Sequence, residues 1–276
     1  MQKVLSTLLA CVFASTTLLS ALPDENENQM REIQCTLTPI DRGRIHPQGK
    51  QGLKTRARAF SSNWSGYVAA PSFQKSEPGS VTYAAGSWII PALEATPDTT
   101  YCAVWVGIDG FTNGTVEQIG TAHNWFQSEQ QNFAWFEMYP MGAYEITGFP
   151  VEVGDQISVR IGYKGEDNFK LVMFNHTKGV STIVPGDYTK LSIAQRSSAE
   201  WIVEAPYAGG ILPLSDFELV TFNYCSAIIN GESGSISNGD WVNDQITMVN
   251  GNGDVKAMPS ELLKNGNCFK VAWEHE

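Results

Sequence analysis

Apolar and polar residues alternate along many short stretches of this chain. The clearest stretch is 104–120, where aliphatic residues at positions 104, 106 and 108 alternate with Trp105, Gly107 and Asp109. Successive side chains of a β-strand point to opposite faces of the sheet. The pattern therefore predicts a strand that turns its aliphatic side toward the core. Its other face presents a Trp, a gap at Gly107 and a carboxylate.

A turn and a second strand are predicted directly afterwards. Gly110 and the Asn113-Gly114 pair supply turn chemistry, and residues 115–120 resume an extended pattern. Gln118 lies on the same side of this second strand as Gly120, among small and apolar neighbours. It is either a buried amide that satisfies backbone groups at a bend, or a hydrogen-bonding group aimed at a substrate.

The same kind of pattern recurs along the chain from about residue 61 to residue 276. Further strand-like runs cover residues 61–68, 86–91, 133–140, 151–161, 169–175 and 198–206. Turn signals recur every ten or so residues, no window sustains a helical period, and only residues 261–264 suggest one helical turn. We therefore predict a single all-β domain over residues 61–276, built as an antiparallel β-sandwich.

The N-terminus has the pattern of a secretory signal peptide over residues 1–21. Lys3 precedes an uncharged apolar run, and small residues at Ser20-Ala21 suit cleavage near that point. A lipoprotein signal with Cys11 as the acylated residue is the alternative. No later stretch is long and apolar enough to span a bilayer. The sequence thus predicts a secreted protein, extracellular or periplasmic.

The stretch 22–60 differs from the rest in composition and charge. It has few large apolar residues and cannot form a core of its own. Between residues 31 and 58, seven basic side chains stand against two acidic ones, whereas residues 60–276 hold ten basic and 24 acidic side chains, a formal charge of −14. The contrast predicts a basic pro-segment that docks electrostatically on an acidic domain. A nucleic-acid or anionic-surface arm is the other use of such a patch.

The predicted domain holds three cysteines, an odd number for an oxidising compartment. They are Cys102, Cys225 and Cys268. One disulfide and one buried thiol are expected, with Cys225 and Cys268 as the preferred pair because each lies in a late strand-like run. Their spacing suits no metal site. Sequons begin at Asn63, Asn113 and Asn175, and they matter only if the host glycosylates secreted proteins.

Two more predicted strands carry carboxylates among aromatic side chains. Glu137 shares a strand face with Trp135 and Tyr139, so it is either a solvated edge residue or part of an aromatic cleft. Glu200 and Glu204 share one face of the strand around residues 199–204. We interpret Glu200 as a solvated rim residue.

Taken together, five ordered blocks resemble the glutamic peptidases called eqolisins, peptidase family G1. The blocks are Asn63-Trp64-Ser65-Gly66, Trp105 to Gly110 (WVGIDG), Glu117 to Gly120 (EQIG), Trp135 to Tyr139 (WFEMY) and Ala199 to Glu204 (AEWIVE). The resemblance covers residues 61–230 and implies a sandwich of two curved antiparallel sheets, the concanavalin A-like lectin/glucanase architecture. It thins after Cys225, where only the alternating strand pattern persists.

The resemblance also implies roles for individual residues. It carries the family's catalytic Gln to Gln118 and its catalytic Glu to Glu204. Residues that match the family's cleft lining are Trp105, Asp109, Trp135 and Glu137. In two places the chain departs from the family pattern: the 109–118 hairpin is shorter, with Gly114 in place of a cysteine, and Ala122 stands where fungal members often carry an acidic residue.

The residue types themselves suit peptide hydrolysis by an activated water. The histidines of the domain, His123, His176 and His275, lie in no recognisable nucleophile or zinc motif, so neither a Ser-His-Asp set nor a metal ion nor another cofactor is expected. Glu204 can act as general base and then deliver the proton to the leaving nitrogen. Gln118 can accept from the water and donate to the oxyanion.

The expected function is therefore a secreted acid endopeptidase that cleaves protein or peptide substrates. The expected form is a monomer inhibited by its own pro-segment, without nucleic acid and without a membrane after processing. A β-sandwich carbohydrate-binding module is the main alternative, because Trp105, Trp135 and Tyr139 would suit sugar stacking. A glycosidase using Glu137 and Glu204 and a family member without activity are the others.

Overall fold

The computed structural model describes residues 30–40 and 59–276, which form an almost entirely β protein. The strands are β1 (Arg31–Glu32), β2 (Thr36–Pro39), β3 (Ala59–Ser61), β4 (Trp64–Ala70), β5 (Val81–Ile89), β6 (Thr100–Ile108), β7 (Val116–Phe126), β8 (Glu129–Tyr139), β9 (Ala143–Thr147), β10 (Gln156–Gly165), β11 (Asn168–Asn175), β12 (Val180–Ile183), β13 (Ala199–Glu204), β14 (Leu219–Ile229), β15 (Glu232–Ser235), β16 (Val242–Val249), β17 (Val255–Pro259) and β18 (Phe269–Trp273). Two 3₁₀ turns, Gly186–Tyr188 and Lys264–Gly266, are the helical elements of this described part. The second begins at Lys264, so the helical turn predicted at residues 261–264 lies three residues later.

The strands pair into two sheets. Sheet A runs in the order β1–β12–β11–β10–β5–β14–β15. Sheet B runs β2–β9–β8–β7–β6–β13–β4–β16, and β16 continues to β3 and to β17–β18. Pairing is antiparallel except at β1–β12 and β3–β16, which are parallel.

Strand β14 belongs to both sheets and joins them at one side. Its first residues, up to Phe222, pair with β18 in sheet B. Asn223 and the residues from Ser226 onward pair with β5 in sheet A, and the residues from Ser226 also pair with β15. Between these parts Tyr224 has a positive φ of 54°, a conformation that redirects the strand. No helix in the described residues is long and apolar enough to cross a membrane.

The main core lies between the two sheets, where alternate residues of facing strands meet. From sheet B it includes the aliphatic side of β6, Val104, Val106 and Ile108, and from sheet A it includes the inward residues of β10 and β11. A second apolar cluster, with Trp64, Trp105, Trp135 and Ile202, lies on the opposite face of sheet B. The two faces predicted for residues 104–109 and the all-β sandwich are thus confirmed.

The predicted disulfide between Cys225 and Cys268 is not present in the structure. Strand pairing brings this part of the chain together, since the Cys225 N–H donates to the Asn267 carbonyl at 2.9 Å. Both residues are nevertheless free, buried thiols, as is Cys102. The Cys268 thiol is directed at the Asn223 side-chain oxygen at 3.3 Å, and the Cys225 sulfur lies 3.9 Å from the Asn223 carbonyl.

The three sequon asparagines use their amide nitrogens inside the fold. Asn63 donates to Glu204 at 3.0 Å, Asn113 donates to Asp109 at 2.6 Å, and Asn175 donates to Asp155 at 2.8 Å. Asn63 and Asn175 are fully buried. An N-linked glycan has no room at the two buried positions, so the folded domain cannot accept one at Asn63 or Asn175.

Candidate active site

The candidate site lies on the outward face of sheet B, where β8, β7, β6 and β13 lie side by side. Strand register sets its side chains in rows. Across these four strands, the first row is Glu137, Gln118, Gly107 and Glu200, the second is Trp135, Gly120, Trp105 and Ile202, and the third is Phe133, Ala122, Ala103 and Glu204. All six site residues that the sequence predicts are buried.

Two glycines let these strands and the Trp105 ring approach closely. A Cβ at Gly120 would lie 2.2 Å from the Val104 carbonyl oxygen and 2.6 Å from the Trp105 Cβ. A Cβ at Gly107 would lie 2.9 Å from the Glu117 carbonyl oxygen and 3.0 Å from the Trp105 ring. At each glycine the distance to the backbone oxygen is shorter than a real Cβ tolerates, so only glycine fits.

Glu204 ends β13 with its carboxylate held by neighbouring donors. The Trp105 indole N–H donates to Glu204 Oε2 at 2.8 Å, and the Asn63 amide donates to Oε1 at 3.0 Å. The Trp64 ring packs edge-on against Trp105 with centroids 5.0 Å apart. These contacts fix both carboxylate oxygens in position.

Burial raises the pKa of the Glu204 carboxyl to about 8. The hydrogen bonds from Trp105 and Asn63 lower it, and the Trp64 indole, which faces the carboxyl without reaching hydrogen-bond geometry, acts in the same direction. In this buried site Glu204 is therefore a neutral acid throughout the acid range. Water that enters the site would lower this pKa by solvating the charged form.

Gln118 lies at the centre of the first row with one side of its amide engaged. Its Nε2 donates to Glu137 Oε2 at 2.9 Å. Its Oε1 is buried and has no hydrogen-bond partner in the described chain, and the same holds for the Trp135 indole nitrogen in the neighbouring row. A buried amide oxygen without a partner is uncommon in a folded protein and needs an explanation.

The structure places Gln118 and Glu204 on one face but not in direct contact. Strand β6 lies between their strands, and Gln118 is in register with Gly107 whereas Glu204 is in register with Ala103. The rows of the two residues are thus four residues apart along β6. A water shared by both would require the two side chains to reach toward each other above Trp105.

Asp109, predicted as cleft lining, holds two loops in place. It has a positive φ of 74° directly after β6. Its oxygens accept from the backbone N–H groups of Gln195, Arg196 and Ser197 and from the side chains of Asn113, Thr115 and Ser197. The loop thus anchored leads directly into β13, so Asp109 fixes the start of the strand that carries Glu204.

Two further buried carboxyls lie near this end of the site. Glu200, which the sequence analysis interpreted as a solvated rim residue, is wholly buried, and this interpretation is wrong. Because β13 lies between β6 and β4, its residues have neighbours on both sides. Burial raises the pKa of Glu200 well above its usual range. The Ser198 hydroxyl lowers this pKa, and the charge of Asp109 raises it further. The pKa of Glu117 is also raised well above its usual range, first by burial and then by the charges of Asp109 and Glu200.

Sequence reasoning did not assign Asn63 or Trp64 to the site. The sequence analysis names both residues only as part of the first motif block, and Asn63 also as the start of a sequon. Their position was visible in the sequence, because both belong to the first of the five blocks that carry the family resemblance. What the sequence did not contain is the register of β4 against β13, which sets Trp64 opposite Glu204.

The model of one protein family, described as the Peptidase A4 family, matches residues 62–264 of this chain. The chain belongs to the Peptidase A4 family. Among its relatives is Aspergillopepsin-2 of Aspergillus niger, 27% identical over 257 residues that cover 84% of this chain and 88% of that protein. Scytalidopepsin B of Scytalidium lignicola is 28% identical over 153 residues, which are 52% of this chain and 56% of that protein.

Solved structures of glutamic peptidases share the fold of this family member. A scytalido-glutamic peptidase bound to a transition state analog inhibitor superposes with a TM-score of 0.62 at 21% identity, covering 78% of this chain and 99% of that one. The aspergilloglutamic peptidase from Aspergillus niger gives 0.53 at 26% identity, covering 63% of this chain and 99% of that one. The resemblance to eqolisins that the sequence predicts is confirmed.

As a Peptidase A4 member, the chain is a glutamic endopeptidase, a hydrolase that acts on peptide bonds. This membership favours the peptidase over the carbohydrate-binding and glycosidase interpretations.

Proposed function

We propose that this glutamic peptidase is a secreted acid endopeptidase in which Gln118 and Glu204 activate a water molecule. The observation that carries the proposal is the buried Gln118 Oε1, an acceptor without a partner in the described chain, on the same face as a carboxyl fixed by Trp105 and Asn63. An acceptor of this kind suits a water nucleophile. The Trp135 indole N–H on the same face can donate a hydrogen bond to a backbone carbonyl of the substrate.

Gln118 has two tasks in this proposal. Its carbonyl oxygen accepts a hydrogen bond from the attacking water and so orients that water. One amide N–H is engaged by Glu137, and the second is available for the substrate carbonyl oxygen, which gains negative charge as water adds. The bond to Glu137 fixes the amide plane, so that the carbonyl and this second N–H keep their directions. One such donor is typically worth about 10²- to 10³-fold in rate.

The raised pKa of Glu204 changes the order of proton transfers expected from the sequence, in which it begins as the base. In acid, Glu204 starts as a carboxylic acid. It donates its proton to the carbonyl oxygen of the scissile peptide bond as water adds to the carbonyl carbon. The resulting carboxylate, stabilised by the Trp105 and Asn63 N–H groups, accepts a proton from the added water. That proton then goes to the leaving nitrogen as the C–N bond breaks, and one hydroxyl of the collapsing diol returns its proton to Glu204, which restores the carboxylic acid.

The dyad is tested by replacing each of its two residues. Glu204→Gln removes the proton carrier, and Gln118→Ala removes the water acceptor and the oxyanion donor, so each should lower kcat by at least about 10²-fold. Turnover of an unfolded protein at acid pH, read by mass spectrometry of the fragments, measures the effect. Glu200→Gln is the matched control on the same strand and should cost much less. Near-normal turnover in either dyad variant would refute the assignment.

The N-terminal part of the proposal concerns export and latency. We attribute secretion to the signal peptide at residues 1–21 and latency at neutral pH to the basic stretch of the pro-segment. Lys50, Lys54, Arg56 and Arg58 carry this charge and lie outside the described residues. Protonation of domain carboxylates in acid would weaken their attraction, and added salt would act in the same direction.

A further inference from the structure

Residues 30–40, part of the predicted pro-segment, are integrated into both sheets of the domain. In sheet A, β1 pairs with β12, and the N–H groups of Arg31 and Ile33 donate to the carbonyls of Gly179 and Ser181 at 3.1 and 2.8 Å. In sheet B, β2 pairs with β9 from Thr36 opposite Thr147 to Pro39 opposite Tyr144. One short segment thus adds a strand to each sheet. We call residues 30–40 the strand clasp.

The side chains of the strand clasp alternate between core and solvent. Ile33, Cys35 and Leu37 are half-buried and pack against the main core, whereas Gln34 and Thr36 are exposed. Ile40 packs instead on the cluster at the site face. The segment is therefore held by backbone hydrogen bonds and apolar contact, forces that neither acid nor salt removes.

The strand clasp covers two strands that would otherwise be sheet edges. Within the described pairing, β12 has β11 as its other neighbour, and β9 has β8. Without the clasp, both would present unpaired N–H and C=O groups on the same side of the sandwich, an arrangement that folded proteins avoid.

The strand clasp also supports one wall of the active site. The Ile40 N–H donates to the Ala143 carbonyl at 3.0 Å, and Ala143 is the residue on β9 in register with Glu137 on β8. Glu137 in turn accepts from Gln118. A chain of strand contacts thus leads from the clasp to the amide that we assign to water activation.

We propose that the strand clasp is a permanent part of the enzyme, and that a chain cut between residues 41 and 58 keeps it as a bound second peptide. The mature peptidase is then a non-covalent two-chain protein. This inference concerns assembly and rests on the proposed function only through the Glu204→Gln background of its test, where fragments of the uncut protein at pH 4 would reveal a failure of the dyad separately. It divides the pro-segment into a basic stretch that dissociates and a strand that stays.

The experiment cuts the full-length protein and asks what stays bound. Residues 41–58 contain six basic positions for trypsin, and a Glu204→Gln background prevents self-digestion. After cleavage, gel filtration at pH 7 and at pH 4, with and without 1 M salt, is followed by mass spectrometry of the domain peak. A peptide containing Ile33 to Ile40 should co-elute in about equimolar amount under all four conditions and leave only in denaturant. Its loss at pH 4 while the domain stays folded by circular dichroism would overturn the proposal.

Two neighbouring substitutions supply the matched test in the same background. Leu37→Gln places an amide against the core and should lower the amount of cut peptide that stays with the domain by at least about tenfold. Thr36→Gln changes an exposed position and should leave that amount unchanged. If Leu37→Gln fails to fold, Ile33→Ala takes its place with the same direction and a smaller effect. Equal retention by inward and outward variants would show that the clasp is not held by its core contacts, and would contradict the inference.

Discussion

At the scale of single residues, Glu204 is governed by two opposed effects. Burial disfavours its charge, and the N–H groups of Trp105 and Asn63 favour it. The balance leaves a carboxyl that is neutral in acid yet surrounded by donors ready for the anion. A proton carrier needs both states to be accessible.

Replacing Trp105 by Phe should move the pH dependence of activity. The change removes the 2.8 Å N–H bond to Glu204 Oε2 and keeps most of the ring. Because this bond stabilises the charged form, its loss raises the pKa of Glu204 further, and the alkaline limb of kcat/KM should shift to higher pH, with an overall loss of about tenfold or more. Profiles of kcat/KM against pH for both proteins measure the shift.

Trp88→Phe is the matched control for this change. Its indole N–H donates to the Thr121 hydroxyl at 2.9 Å in the main core, away from Glu204. The variant should lose stability by about 1 kcal/mol, the typical worth of one hydrogen bond, with an unchanged alkaline limb. An equal shift in both variants would mean that the limb reports unfolding and not Glu204.

At the scale of elements, the site depends on how closely β6 and β7 approach. Gly120 on β7 lies against the backbone of Val104 and Trp105 on β6, and no side chain there can move aside to relieve a clash. The glycine is needed for this close approach.

Gly120→Ala should therefore be strongly destabilising. A Cβ 2.2 Å from the Val104 carbonyl forces paired strands apart, and overpacking of this kind costs about 1–3 kcal/mol or more. Gly114→Ala is the control, because a Cβ at Gly114 meets nothing within 4 Å. Urea unfolding of both variants in the Gln118→Ala background measures the difference. Similar unfolding midpoints for the two variants would contradict this close approach of β6 and β7 at Gly120.

At the scale of the whole molecule, buried carboxyls set the response of stability to pH. The folded state raises the pKa values of Glu117 and Glu200 well above those of the unfolded chain. It therefore binds more protons than the unfolded state between the two pKa values. The stabilisation is complete below the unfolded pKa near 4.5 and is lost as pH rises through the folded pKa. Glu204 contributes with the same sign up to about pH 8.

His123 acts in the opposite sense. Burial lowers the pKa of this histidine to about 4, against the Asn132 hydrogen bond, which raises it. The unfolded chain then binds more protons between about pH 4 and 6.5, so that stability falls as pH falls through this window. Together these groups favour a stability maximum in moderately acid solution.

The double variant Glu117→Gln and Glu200→Gln should flatten the alkaline side of this profile. Gln cannot ionise, so the loss of stability above the unfolded carboxyl pKa should shrink. In a domain of this size 1 kcal/mol corresponds to about 2–4 °C in Tm, and a gain of that order or more is expected at pH 7, with little change at pH 4. Thermal melts in the Gln118→Ala background test this. An equal shift at both pH values would show that the carboxyls act through packing and not through ionisation.

Much of the fold and the positions of six site residues could be predicted from the sequence, because they depend on local alternation and on short motif blocks. The period of two assigned the faces of residues 104–109, and the five motif blocks assigned Gln118 and Glu204 and their family. The same period was present from Ile33 to Leu37, but the basic composition around it obscured the strand. Alternation within a strand follows from backbone geometry alone, so it needs no knowledge of distant residues.

Only the tertiary structure decided what depends on register between distant strands. Asn63 reaches Glu204 across 141 positions, and Asp109 holds the 195–197 loop across more than 80. The burial of Glu200 follows from the neighbours of β13, and the thiol contacts of Cys225 and Cys268 follow from the position of Asn223. These features come from hydrogen-bonded pairing between segments far apart in sequence, and no local pattern encodes the pairing.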